Sequence, residues 1–223
     1  MKQHFRAMSV AAVVVLATVG VAIASSAGLG RTAPAVAVAQ KAEKPAAVDS
    51  SGTYAIDPVH SSIAFTIGHL GISLVNGRFT SHKGTIAFDQ KDVTKSTVAF
   101  TAETASINTG VEKRDDHLKS ADFFDVAKYP ELTFKSTGIK KSGKGYVLNG
   151  TLTIRGISKD VSIPFTYSGP VKDPWGGTRI GAHGDVTINR QDYGVSWGHK
   201  MESGAMDVAN EVHIRLDLEA VKE

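Results

Sequence analysis

Residues 212–219 alternate without a slip: Val212, Ile214, Leu216 and Leu218 share one face, and His213, Arg215, Asp217 and Glu219 the other. Successive side chains on a strand point to opposite faces, so this period of two describes a strand with one dry and one wet side. The same period returns along almost the whole second half of the first hundred residues and beyond. It appears in Ile63, Phe65 and Ile67, in residues 74–79 and 85–88 (ending on Phe79 and Phe88), and in Val98, Phe100 and Ala102. It continues in Leu132 and Phe134, in Tyr146, Leu148, Leu152 and Ile154, in Val161, Ile163, Phe165 and Tyr167, and through residues 179–189. A chain patterned in this way has few options. There is no βαβ rhythm and no helical stretch long enough for a parallel crossover.

About eight long strands, several dotted with glycine where a curved sheet needs relief, fit a closed antiparallel barrel better than a flat sandwich. The expected fold class is therefore all-β, an eight-stranded antiparallel β-barrel with a short helical insert. Local signals refine it. Asn149-Gly150 reads as a kink within one long strand, because its flanks are too short for two. Gly84 reads as a bulge or kink, and Pro164, which cannot donate to a ladder, as an edge position or bulge. Residues 155–160, 169–177 and 191–210 read as connections.

Alternation stops at residues 111–134, VEKRDDHLKSADFFDVAKYPELTF. Thr109-x-x-Glu112 has capping-box spacing, which predicts a short helix over residues 110–119, with a further turn near 120–126. Arg114, Asp115, Asp116 and His117 crowd one turn, and Leu118, Phe123 and Phe124 are placed to face the core. Two roles are open to such an insert. Its charges can be structural, with Arg114 and Asp115 as a local ion pair in a plug. Alternatively it forms one wall of a ligand cavity, with Arg114 and His117 near a polar head group.

The N-terminus belongs to targeting rather than to the fold. Lys2, His4 and Arg6 precede an apolar run of 16 residues, 9–24, followed by the small residues Ser25-Ser26-Ala27. This is the layout of a secretory signal peptide over residues 1–27, and the run is short against the ~20 residues of a membrane span. An exported protein, periplasmic or secreted, is expected, with no stable membrane span after processing; an uncleaved segment would leave it membrane-anchored. Residues 28–51, rich in Ala and Pro, read as a flexible linker, and 52–223 as the folded domain. The formal charge of +3 falls to +1 without Lys2 and Arg6, and to zero without Arg31. A neutral domain has no basic face for nucleic acid. With no cysteine in the chain, disulfides, thiol catalysis and cysteine-ligated zinc are excluded.

Five segments in order, over about 140 residues, resemble the YceI family of polyisoprenoid-binding, lipocalin-like proteins of the bacterial envelope. They are DPVHSSIAFTIGHL (57–70), NGRFTSHKGTIAFD (76–89), RDDHLKSADFFDVAKYPELTF (114–134), NGTLTIRGISKDVSIPF (149–165) and INRQDYG (188–194). The resemblance implies an elongated barrel holding a lipid in its apolar interior. The partner it implies is a long-chain isoprenoid, a quinone-like molecule or a fatty-acid derivative.

Individual contacts are assigned by strand parity and by the insert. Inward Phe65, Ile67, Phe79, Phe88, Phe100 and Phe134 are candidate apolar lining, as are Leu152, Ile154, Phe165 and Leu216. Leu118, Phe123 and Phe124 join them from the insert. Arg114 and His117 are the first candidates for a head group. His69, closing a strand toward the barrel mouth, and Arg190 are the others, although Arg190 with Asp192 also reads as a turn-stabilising pair. No HExxH or HxH pair, GxSxG or glycine-rich phosphate loop occurs. The chain thus offers no catalytic, metal-ligating or cofactor motif, and a non-enzymatic carrier is expected. The alternative is an envelope redox accessory or enzyme using a bound quinone- or haem-like cofactor.

Overall fold

The fold is described from a computed structural model, in which residues 49–223 are placed; the expected signal peptide, 1–27, and residues 28–48 of the expected linker lie outside the described residues. Two strands, β1 (Gly52–Ile56) and β2 (Ser62–His69), both pair with the last strand, β11 (Val208–Lys222). β1 takes its C-terminal end and β2 the remainder, so the two form one wall position interrupted by a turn. The next two, β3 (Ser73–Phe79) and β4 (His82–Phe88), repeat the arrangement against β2 and β1. So do β5 (Thr97–Glu103) and the short β6 (Ile107–Asn108) against β4 and β3. Four uninterrupted strands follow: β7 (Glu131–Ser142), β8 (Gly145–Ile154), β9 (Ile157–Lys172) and β10 (Thr178–Asn189). Eleven strands thus fill eight positions of a closed antiparallel barrel in sequence order, and the β1–β11 pairing shuts the ring. Closure removes the edges that an open sheet of this size would present.

The connections sort by end. At one end, called the helical end, lie the β2–β3 hairpin, the insert with helix α1 (Glu112–Lys119), the β8–β9 turn and residues 190–207. At the far end lie residues 89–96, the β7–β8 hairpin and residues 173–177. Inward side chains gather into two clusters accordingly. The far-end cluster is a closed aromatic plug. Tyr54 is fully buried, its hydroxyl donates to the Ser50 carbonyl (2.7 Å), and Phe88 stands edge-on to it at 5.9 Å. Tyr146, Phe165 and Tyr167 complete the plug. The outward faces carry short polar ladders, such as Thr66–Asn76, Thr187–His213 and His183–Asp217. Among the described residues no helix is long and apolar enough to cross a membrane.

Of the local expectations, one holds and several change. β8 passes through Asn149-Gly150 unbroken, as read from its short flanks. Gly84 is no bulge: it sits in register opposite Phe100, and a Cβ there would meet the Ala99 carbonyl at 2.6 Å. The position needs a glycine for close approach. The connections are shorter than their composition suggested. Residues 157–160 and 169–172 belong to β9, with Gly169-Pro170 at a bulge opposite Ile180, and residues 208–210 belong to β11. The linker also ends earlier. Asp49 pairs with Lys91 at 2.8 Å and the Ser50 amide donates to Gln90 Oε1 at 2.6 Å, so residues 49–51 are tied to the folded unit.

Candidate functional site

Inside the helical half of the barrel lies a cavity of about 340 Å³. Its wall is built by parity. β2 supplies Ile63, Phe65 and Ile67; β5 supplies Val98 and Phe100; β7 and β8 supply Phe134, Leu148, Leu152 and Ile154. On the opposite side β9 to β11 contribute aliphatic side chains throughout, including Val186, Ile214 and Leu216. The roof is made by the insert and by residues 190–197. From the insert come Leu118, Phe123 and Phe124, with Phe124 edge-on to Phe79 at 5.7 Å; from the second loop come Tyr193, Val195 and Trp197. The charged and imidazole side chains of the lining, His69, Arg114, His117 and Arg190, all sit at this helical end. The cavity is therefore amphiphilic along its axis, a hydrocarbon sleeve under a cationic and aromatic roof.

Each polar group is held by a definable device. Helix α1 begins at Val111 without any side-chain cap, so the expected capping box is absent. Instead the buried carboxylate of Asp115 accepts the Thr109 amide (2.8 Å) and the Thr109 hydroxyl (2.5 Å). Arg114 donates Nε to that hydroxyl (2.7 Å) and Nη2 to the Thr109 carbonyl (2.9 Å). Arg114 and Asp115 are thus joined through Thr109 rather than as the direct ion pair expected. The reason is geometric: adjacent helical residues point about 100° apart, and one hydroxyl beyond the helix start reaches both. His117 bonds Asp122 through Nε2 (2.9 Å) and stands edge-on to Phe123 and Trp197 at 5.0 and 4.9 Å.

Arg190 is different. Only 4% exposed, it donates Nε to Ala209 O, Nη1 to Val195 O and Trp197 O, and Nη2 to Val208 O, at 2.7–3.1 Å. No carboxylate contacts it among the described residues, and the expected pairing with Asp192 is not made. Burial pushes its guanidinium below the ordinary arginine value, opposed by the Asp207 carboxylate. The residue staples the loop 195–197 to the start of β11. Beside it, burial and Asp192 push the Tyr193 phenol up to about 12.

The structure brings together most of the residues that parity and the insert selected. Phe65, Ile67, Phe79, Phe100, Phe134, Leu152, Ile154 and Leu216 line the cavity from the strands. Leu118, Phe123 and Phe124 line it from the insert, and His69, Arg114, His117 and Arg190 mark its polar end. Phe88 and Phe165 do not line it. They belong to the far-end plug and border a separate void of about 70 Å³. Alternation tells inside from outside but not height along the barrel, which is why these two were misplaced. Trp197, Val195 and Tyr193 were missed because they lie in an irregular connection without period. Val186, Ile188, Val212 and Ile214 were missed although their parity was readable. Among the described residues the one trio of potential metal ligands is Asp57, His60 and Glu219, outside the cavity. Asp57 and Glu219 already bind Arg179 at 2.9 and 2.6 Å.

Comparison with known proteins gives a consistent picture. A protein-family profile described as a YceI-like domain matches residues 54–220. A UPF0312 protein of Pseudomonas paraeruginosa is 38% identical over 164 residues, covering 74% of this chain and 83% of its own. Among solved structures, Burkholderia cenocepacia BcnA is 25% identical with a TM-score of 0.65, covering 74% of this chain and 98% of its own. A domain from Saccharophagus degradans, described as polyisoprenoid binding and implicated in plant cell wall breakdown, shares the fold at 16% identity and a TM-score of 0.54, over 76% of this chain and 98% of its own.

Proposed function

The chain belongs to the YceI-like family, and from that premise we propose that it is an exported, non-enzymatic barrel that sequesters or carries an amphiphilic isoprenoid-type lipid through an aqueous compartment of the bacterial envelope. Its ligand class is a polyprenyl, quinone-like or fatty-acid derivative. The observation that carries this reading is the cavity's axial division, with hydrocarbon wall along the barrel and His69, Arg114, His117 and Arg190 at one end. The description of the Saccharophagus degradans domain as polyisoprenoid binding supports the same ligand class.

Magnitudes assign the roles. At ~0.8 kcal/mol per buried methylene, a segment of about ten carbons contributes roughly 8 kcal/mol before ordering costs. A charge-assisted hydrogen bond to a head group contributes about 1.5–3 kcal/mol. The tail sets affinity and the polar end sets direction. A volume of about 340 Å³ stands near the lower limit of the ~300–1,000 Å³ typical of ligand pockets. It encloses a segment of a long polyprenyl chain, and the remainder must leave the barrel.

Native mass spectrometry of the exported protein, followed by organic extraction, tests the reading. A stoichiometric isoprenoid, quinone or fatty-acyl species is expected in the extract. A protein that arrives empty and also rejects added polyprenyl and fatty-acyl ligands would keep its fold and lose this function.

A further inference from the structure

Between β9 and β10 the ladder ends although both strands continue. Their pairing runs from Thr178↔Lys172 to Gly184↔Phe165 and stops. Beyond that point β9 stays paired with β8 as far as Ile154↔Ile157, and β10 stays paired with β11 as far as Asn189↔Glu211. Residues 160–164 of one strand and 185–189 of the other therefore face each other without a ladder pair. Three local causes are visible. Pro164, the first residue past the last pair, has no N–H to offer. The β8–β9 turn is drawn toward the insert, with Arg155 Nη1 donating to the Phe123 carbonyl (2.6 Å) and Tyr129 packed under Gly156, where a Cβ would meet its ring at 2.9 Å. β10 is held the other way by its unbroken register with β11. At the helical end the gap is bounded by Gly194, which packs against Ile157. Four residue steps at ~3.3 Å make the slit about 13 Å long.

The lips are chemically uniform. Val161 and Ile163 on β9, and Val186 and Ile188 on β10, point inward and all four line the cavity. No ladder pair joins the wall along these four residues. Parting it breaks no backbone hydrogen bond, whereas a passage between any fully paired strands must break several. The roof offers a worse route, because a hydrocarbon tail threaded end-first would pass Arg114, His117 and Arg190.

We infer that the slit between β9 and β10 is the lateral entrance through which a lipid's hydrocarbon chain reaches the cavity, its head group remaining at the polar end. This rests on the lipid-binding reading above and deepens it. The ligand enters along its length, and tail in excess of the cavity leaves through the same slit. Chains longer than the cavity are therefore accepted.

Two measurements test it. The first needs no ligand: amides of residues 160–164 that point away from β8 exchange with solvent at least tenfold faster than those of residues 165–168. Equal protection would mean a sealed wall and overturn the entrance. The second uses the absence of cysteine from the chain. Continuing the observed register sets Ser162 opposite Thr187, so Ser162→Cys with Thr187→Cys places two unique thiols on the outer lips. A short, reducible methanethiosulfonate bridge between them should slow association of dansyl-undecanoic acid at least tenfold, with recovery on reduction. Thr166→Cys with His183→Cys, already opposite in the ladder, should bind at the unmodified rate when bridged. An unchanged rate in the slit-bridged protein overturns the entrance while binding itself stands. Failure of the probe to bind the unbridged protein removes the lipid-binding reading, and the entrance with it.

Discussion

Arg190 commits four of its five N–H donors to backbone carbonyls, and it does so with a charge buried at 4% exposure. Arg114, facing the same cavity, commits two donors to Thr109 and stays half-buried. The same side chain therefore serves two purposes. Replacing Arg190 with Met removes these four bonds and frees residues 195–208; a loss of roughly 3 kcal/mol or more is expected in denaturant unfolding, for ligand-free and loaded protein alike. A change below ~1 kcal/mol would return Arg190 to the head-group role. Replacing Arg114 with Ala should cost stability little. It should reduce the preference for a carboxylate-headed ligand over its alcohol by about fivefold to tenfold, the value of one partly solvated charge-assisted bond. An equal loss for both ligands, measured by competition binding, would mark Arg114 as structural.

At the scale of elements, one outward arginine joins three of them. Arg179 on β10 bonds Asp173 in the β9–β10 connection (2.7 Å), Asp57 after β1 (2.9 Å) and Glu219 on β11 (2.6 Å). It fastens the place where the barrel closes. The Asp57 carboxyl is held well below the ordinary carboxylate range, first by His60 and then by Arg179, and Asp173 is held low chiefly by Arg179. A depressed carboxylate contributes stability that is complete above its unfolded pKa of ~4 and is lost as pH falls through the lower folded value. Arg179→Gln should therefore melt below the wild type at pH 7, and the gap should narrow as pH drops below ~4. A gap that stays constant from pH 7 to pH 3 would separate Arg179 from these carboxylates. This network was not legible in the sequence, because Arg179 reaches a partner 122 residues away. The strands were legible, since each carries its own period, and so was the position of the insert, where that period fails. The capping box was misread at the same boundary: Thr109 stands outside the helix, bound to Asp115, and only the tertiary path of the chain decides which acceptor its hydroxyl meets.

For the whole molecule, the decisive feature is that its interior is divided. The larger cavity and the far-end void of about 70 Å³ share Val98, Leu148, Ile163, Leu216 and Leu218 in their walls, so these five form a waist. Beyond the waist the aromatic plug of Tyr54, Phe88 and Tyr167 closes the barrel. Depth at the waist therefore limits how far a tail can descend from the polar end. Leu148 packs against both clusters and is the natural residue to remove. Leu148, partly buried between the two voids, should cost about 2 kcal/mol when cut to Ala in the empty protein, the low end for leucine truncations, and the change should join the two spaces into one longer sleeve. Because each added methylene that finds a dry wall contributes ~0.8 kcal/mol, affinities along a series of saturated fatty acids should then peak at a chain a few carbons longer than in the wild type. An optimum at the same length, in a variant shown to be folded, would mean that tails stop short of the waist and that the head group or the lateral slit sets the length a ligand can bury.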